Sequence, residues 1–273
     1  MTATEVKGRA RGLAGLGVED HGATDDRPPL VLLHGLTFNR TMWGPALAAL
    51  RDVDPGRRVL AIDLPGHGGS SPWPSYDVES VAEAVHRAVT EAGLERPVVV
   101  GHSLAAVIAT VYGARYPTRG VVNVDQPLQT EGFIRFVRSL ADRLRGPEFP
   151  DVWQMFVASM HMELLPPEGQ ELLRSMMDAR QELVLGYWRE VLERPVEEIA
   201  AAGTVGLAAL READVPYLVV AGQELEPSYA RWLEAALPQA RVEVVAGSGH
   251  FPHIAHPDTF AELLALTGRE RWL

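Results

Sequence analysis

The sequence predicts an α/β fold in which a mostly parallel sheet is covered by helices on both faces. Three observations carry this. Short β-branched runs alternate with segments of helical periodicity along most of the chain. One such run, Val98-Val99-Val100, passes through Gly101-His102-Ser103-Leu104-Ala105 directly into an apolar, Ala-rich helical segment. Between residues 127 and 206 the alternation stops and only helical spacing remains.

Glu5 to Asp20 is weakly strand-like and reads as an antiparallel edge; Thr24-Asp25-Asp26-Arg27-Pro28-Pro29 is a turn. Leu30–Leu33 is a short buried strand ending at His34-Gly35, and Trp43–Leu50 is a helix. Val59–Ile62 is a strand that enters the tight loop Asp63-Leu64-Pro65-Gly66-His67-Gly68-Gly69-Ser70. Val78–Ala92 is a helix with Asp77 as its N-cap. Pro97–Gly101 and Val121–Val124 are strands, the second running into Asp125. Phe133, Ile134, Phe136, Val137 and Leu140 begin a helical pattern that continues through Trp188 and Leu192. It is read as a cap lying over the sheet, so that residues 1–126 and 207–273 form the core and residues 127–206 the cap. Strands at Tyr217–Ala221 and Val242–Val245 follow, each with a helix after it, at Ser228–Leu237 and Pro257–Leu266.

The chain has 273 residues, nearly half of them hydrophobic, and a net charge of −11. That is enough for one sizeable core, and the charge disfavours nucleic acid and anionic membrane as partners. There is no cysteine, which excludes disulfides, thiolate chemistry and Cys-based zinc sites. No metal cluster or nucleotide-binding glycine loop stands out, so no cofactor is expected. No stretch reaches the ~20 apolar residues needed to span a bilayer, and Met1 to Gly17 has no long apolar run. The expectation is a cytoplasmic protein, monomeric or homodimeric, acting on a small molecule.

The run Gly101-His102-Ser103-Leu104-Ala105 has the form of a nucleophile elbow. A sharp strand-to-helix turn needs small flanking residues, and Gly101 and Ala105 supply them. Ser103 is thereby held clear of the sheet above a helix N-terminus, where the amide of Leu104 is free to face an oxyanion. The ordinary alternative is a serine that merely opens a helix.

Four motifs in order identify a resemblance: His34-Gly35-Leu36, Asp63-Leu64-Pro65-Gly66-His67-Gly68, Gly101-His102-Ser103-Leu104-Ala105, and Gly249-His250-Phe251-Pro252 followed by His256-Pro257-Asp258. Over nearly its whole length the chain resembles the α/β-hydrolase superfamily, with Ala105 in place of the usual glycine. The resemblance implies a roughly eight-stranded sheet with a helical cap after the sixth strand. It implies Ser103 as nucleophile, His250 as base, and the backbone amides of Leu36 and Leu104 as the oxyanion hole. Asp63 and His67 are read as structural, and His102 as packing beside the nucleophile.

The acid is open at this stage. Most of the superfamily carries an Asp after the penultimate strand, but here the loop reads Gly222-Gln223-Glu224-Leu225-Glu226, with Leu225 at the expected place. Some relatives, haloalkane dehalogenases and zearalenone-type lactone hydrolases among them, carry the acid after the preceding strand, where this chain has Asp125. Asp125 is therefore favoured, with Glu224 and Glu226 as alternatives.

Relatives that dehalogenate or open epoxides carry an Asp at this position, so by resemblance Ser103 implies acyl transfer to water instead. Hydroxynitrile lyases of similar fold add a lid lysine beside the base, and residues 127–206 contain no lysine, so the resemblance does not extend to them. Phe38, Trp153, Met155, Tyr187, Trp188 and His253 are expected to line an apolar substrate site. The reading is a carboxylic ester or lactone hydrolase, the similarity to zearalenone-type lactonases suggesting a bulky macrolactone. A carbon–carbon bond hydrolase of the same fold and a non-catalytic ligand receptor are the competing readings.

Overall fold

The computed structural model describes residues 9–267. Eight strands form one sheet: β1 (Arg9–Leu13), β2 (Leu16–His21), β3 (Leu30–Leu33), β4 (Val59–Ile62), β5 (Val98–His102), β6 (Gly120–Val124), β7 (Tyr217–Ala221) and β8 (Ala240–Val244). Their spatial order is β1-β2-β4-β3-β5-β6-β7-β8. β2 runs antiparallel to β1 and β4, and every other neighbouring pair is parallel. This is a mostly parallel, eight-stranded sheet, as the resemblance implies.

The weakly strand-like start resolves into two strands rather than one. Ala14 and Gly15 both have positive φ, 48° and 81°, which turns β1 back on β2 as a tight hairpin. β1 is exposed over most of its length, so no buried face writes an alternating pattern into it. Residues 5–8 of the expected edge lie outside the described residues.

The central strands are apolar throughout because both faces are covered. Val31, Leu33, Val99 and Val121 point to one side, against α2 (Val78–Glu91) and α3 (Leu104–Arg115). Leu30, Leu32, Val98, Val100 and Val122 point to the other, where α1 (Gly44–Val53) and α13 (Pro257–Leu266) lie. Asp77 caps α2 as expected, accepting from the Ser80 amide at 2.8 Å.

Between β6 and β7 the chain is helical: α4 (Glu131–Ser139), α5 (Ala141–Arg145), α6 (Phe149–Ser159), α7 (Pro167–Met176), α8 (Gln181–Tyr187), α9 (Arg189–Glu193) and α10 (Val196–Glu212). α10 passes through residue 206 without a break, and its buried residues are Leu207 and Leu210, in its second half. That half packs on α3, so one helix serves both the insertion and the layer covering the sheet. The remaining helices are α11 (Pro227–Ala236) and the short α12 (Pro252–Ala255).

The order of strands places the site. From β3 the chain moves outward to β4 and then crosses back to β5 on the other side of β3. Adjacent loops therefore diverge at the C-terminal ends of β3 and β5, the switch point where doubly wound sheets bind ligands.

Candidate active site

Ser103 sits between β5 and α3 with φ 54° and ψ −131°, a conformation that costs a non-glycine residue about 1–3 kcal/mol. The turn is held on both sides: the Ser103 amide donates to Val124 O at 3.0 Å, and its carbonyl accepts from Ala106 N at 2.8 Å. Gly101 permits it, since a Cβ there would lie 2.2 Å from the Ala105 carbonyl oxygen.

His250 comes from the loop after β8. Its Nδ1–H donates to Asp125 Oδ2 at 2.7 Å. Asp125 follows β6 with φ 55°, and its other oxygen accepts from the Gly222 amide at 2.8 Å. Both carboxylate oxygens are thus engaged, one fixing the imidazole and one the loop after β7. Gly222 has no room for a side chain, because a Cβ would lie 1.8 Å from the Gly249 carbonyl oxygen. Glu224 and Glu226 are exposed and make no hydrogen bond to His250 among the described residues. Leu225 instead packs against the core.

The His250 loop is tied down twice more. His102 Nε2–H donates to His250 O at 2.8 Å, so this residue anchors the backbone of His250 as well as packing beside Ser103. The His250 amide donates to Met160 O at 3.0 Å, a direct link to the end of α6.

The Leu36 loop is braced by histidines. Leu64 N–H donates to His34 Nε2 at 2.9 Å, and Thr37 N–H donates to His67 Nε2 at 3.1 Å. Each Nε2 is therefore an acceptor, while each Nδ1–H reaches a carbonyl, Gly35 O and Pro65 O respectively. Asp63 accepts from the amides of Arg40 and Gly69, both at 2.7 Å, and pairs with the Arg40 guanidinium.

Burial lowers the pKa of His34 to about 4 and that of His67 to about 3. Burial, with His250 nearby, lowers His253 to about 3, and His102 is likewise pushed well below its ordinary value. These groups stay neutral in the folded protein while their unfolded counterparts take up protons below pH 6.5. Their contribution to stability is full above pH 6.5 and is lost as pH drops toward 3–4. Urea midpoints measured from pH 7.5 down to pH 4.5 are expected to decline steeply; a flat profile would contradict the buried neutral histidines.

Ser103, Asp125 and His250 line one cavity of about 450 Å³, together with Leu36 and Leu104, the residues expected to form the oxyanion hole. Among the described residues the Ser103 hydroxyl forms no hydrogen bond; nucleophile–base contacts commonly tighten only around a substrate. Phe38, Trp153, Tyr187 and Trp188 line the cavity. Two expected lining residues do not. Met155 is 44% exposed on the outer side of α6. His253 is fully buried on the far side, its ring 4.5 Å from Trp43 and 4.8 Å from His102 between centroids. The first turn of α12 carries His253 into the core, away from the cavity.

Sequence reasoning missed Phe133, Ile134 and Leu207 as wall residues. Phe133 was legible only as part of a helical stripe. Its partial exposure and its contact with Trp188, 5.7 Å between centroids, arise from how the cap helices assemble.

The likenesses to known proteins agree with this architecture. An Escherichia coli protein named "Putative carbamate hydrolase RutD" is 26% identical over 246 residues, covering 88% of this chain and 86% of that protein. The esterase EaEST from Exiguobacterium antarcticum matches with a TM-score of 0.72 at 19% identity, covering 94% of this chain and 97% of the other. The haloalkane dehalogenase DbeA from Bradyrhizobium elkani matches with a TM-score of 0.71 at 21% identity, covering 94% and 95%. These two structural likenesses show the fold. Residues 30–263 match the sequence model described as the alpha/beta hydrolase family, and the chain belongs to that family.

Proposed function

We propose that this chain is a serine hydrolase that cleaves a carboxylic ester or lactone bearing a bulky apolar group. The observation that carries the reading is the 2.7 Å contact between Asp125 and His250 at a cavity shared with a serine in strained backbone. In this mechanism Ser103 Oγ attacks the substrate carbonyl as His250 Nε2 takes its proton. Asp125 holds the imidazole through Nδ1–H and stabilises the imidazolium. The amides of Leu36 and Leu104 face the developing oxyanion. His250 then protonates the departing alcohol oxygen. Water, deprotonated by the same imidazole, releases the acid from the acyl-enzyme.

The walls support an apolar substrate. Phe38, Trp153, Phe156 and Trp188 are aromatic, and Arg194, a cation on the lining, is paired with Glu190 at 2.6 Å. A small anion would find no unpaired cation among the described lining residues, while an apolar ester or a macrolactone of the zearalenone kind would bury its surface there.

A fluorophosphonate probe is expected to label Ser103, and a panel of aryl esters, simple lactones and macrolactones to be turned over repeatedly. Labelling without turnover would favour a ligand receptor. Preferential cleavage of a vinylogous diketone would favour a carbon–carbon hydrolase. Failure of the folded protein to react with the probe would overturn the serine mechanism.

A further inference from the structure

Asp125 is placed by a turn in non-glycine positive-φ backbone, and a neighbouring side chain closes that turn. Asn123, two residues earlier, is the polar member of an otherwise apolar β6 and is fully buried. Its Oδ1 accepts from Gln126 N–H at 3.0 Å, and its Nδ2 donates to Gln126 O at 2.8 Å. One amide thereby satisfies both backbone groups of the residue after Asp125.

The same Nδ2 donates its second proton to Tyr217 Oη at 3.2 Å. Tyr217, also fully buried, is 2.8 Å from Thr110 Oγ1, which donates to Ala106 O at 2.6 Å. The proton directions are self-consistent only one way: Asn123 to Tyr217, Tyr217 to Thr110, Thr110 to Ala106. Ala106 lies in the first turn of α3, and its amide bonds the Ser103 carbonyl. A continuous buried chain of hydrogen bonds thus joins the turn carrying Asp125 to the helix that begins beside Ser103.

We propose that Asn123 is a positioning residue that acts through Asp125, with Tyr217 and Thr110 coupling that turn to the Ser103 helix. The proposal rests on the reading of Asp125 as the triad acid. The core alone does not call for these groups: a valine at 123 and a phenylalanine at 217 would continue the apolar pattern of β6 and β7. A fully satisfied polar network fixes geometry more sharply than apolar packing does.

The test uses the full chain, an aryl ester as substrate, and fluorophosphonate titration to count competent sites. Asn123→Ala is expected to lower kcat per competent site about 10- to 100-fold with KM little changed. Tyr217→Phe keeps the ring in place and is expected to lower kcat about threefold; it tests the same network if Asn123→Ala does not fold. In an Asp125→Asn background both substitutions should cost nearly nothing more, because their route to the chemistry is already cut. Wild-type kcat in Asn123→Ala, or in Tyr217→Phe where Asn123→Ala fails to fold, would overturn the proposal. So would an equal loss in both backgrounds, which marks a merely structural role. Wild-type activity in Asp125→Asn alone would instead remove the triad reading, and the proposal with it.

Discussion

Ser103→Ala is expected to lower turnover of an activated ester by about a million-fold while leaving the fold intact. Two neighbouring hydroxyls on the cavity wall are already committed elsewhere. The Thr110 hydroxyl is committed to Ala106 O and Tyr217, and the Ser159 hydroxyl donates to Phe156 O at 2.7 Å. The substitution removes one oxygen from a half-buried side chain whose hydroxyl makes no hydrogen bond among the described residues, so thermal stability should barely move. Residual catalysis from the oxyanion hole and substrate binding sets the floor. Single-turnover kinetics and fluorophosphonate incorporation measure both effects, and a variant retaining a few per cent of kcat would contradict Ser103 as the nucleophile.

Asp125→Asn is expected to lower kcat by about ten thousand-fold with little change in KM. The geometry supplies the reason. Asp125 Oδ1 accepts from the Gly222 amide, so the asparagine carbonyl oxygen keeps that place and its NH2 faces His250 Nδ1. A donor there forces Nδ1 to accept, which puts the ring proton on Nε2, the atom that must take the serine proton. Glu224→Gln, altering an exposed side chain, is expected to leave kcat within about twofold of the parent. The reverse pattern, an inactive Glu224→Gln and an active Asp125→Asn, would move the acid to the loop after β7.

The strands were the most legible elements. Val59–Ile62 and Tyr217–Ala221 stand where the sequence places them, since a strand buried on both faces is a short apolar run between breakers. The exposed hairpin at β1 and the exposed end strand β8, which begins two residues before the expected Val242, were harder because partial exposure relaxes the pattern. Within the site, Ser103 and His250 are marked by local glycine-rich motifs. Asn123 carried no such mark, because its role depends on Tyr217, ninety-four residues away.

The sequence by itself determined the alternation of strands and helices, the strained turn at Ser103 and the late histidine. Each of these is written in neighbouring residues whose spacing has a direct steric or polar cause. Only the tertiary structure brought Asp125, and neither glutamate, to His250, sent His253 into the core and Met155 to the surface, and joined Asn123 to Tyr217. Those outcomes depend on which side chains meet across β6, β7 and the cap, and a contact between distant segments leaves no periodic signature in the chain.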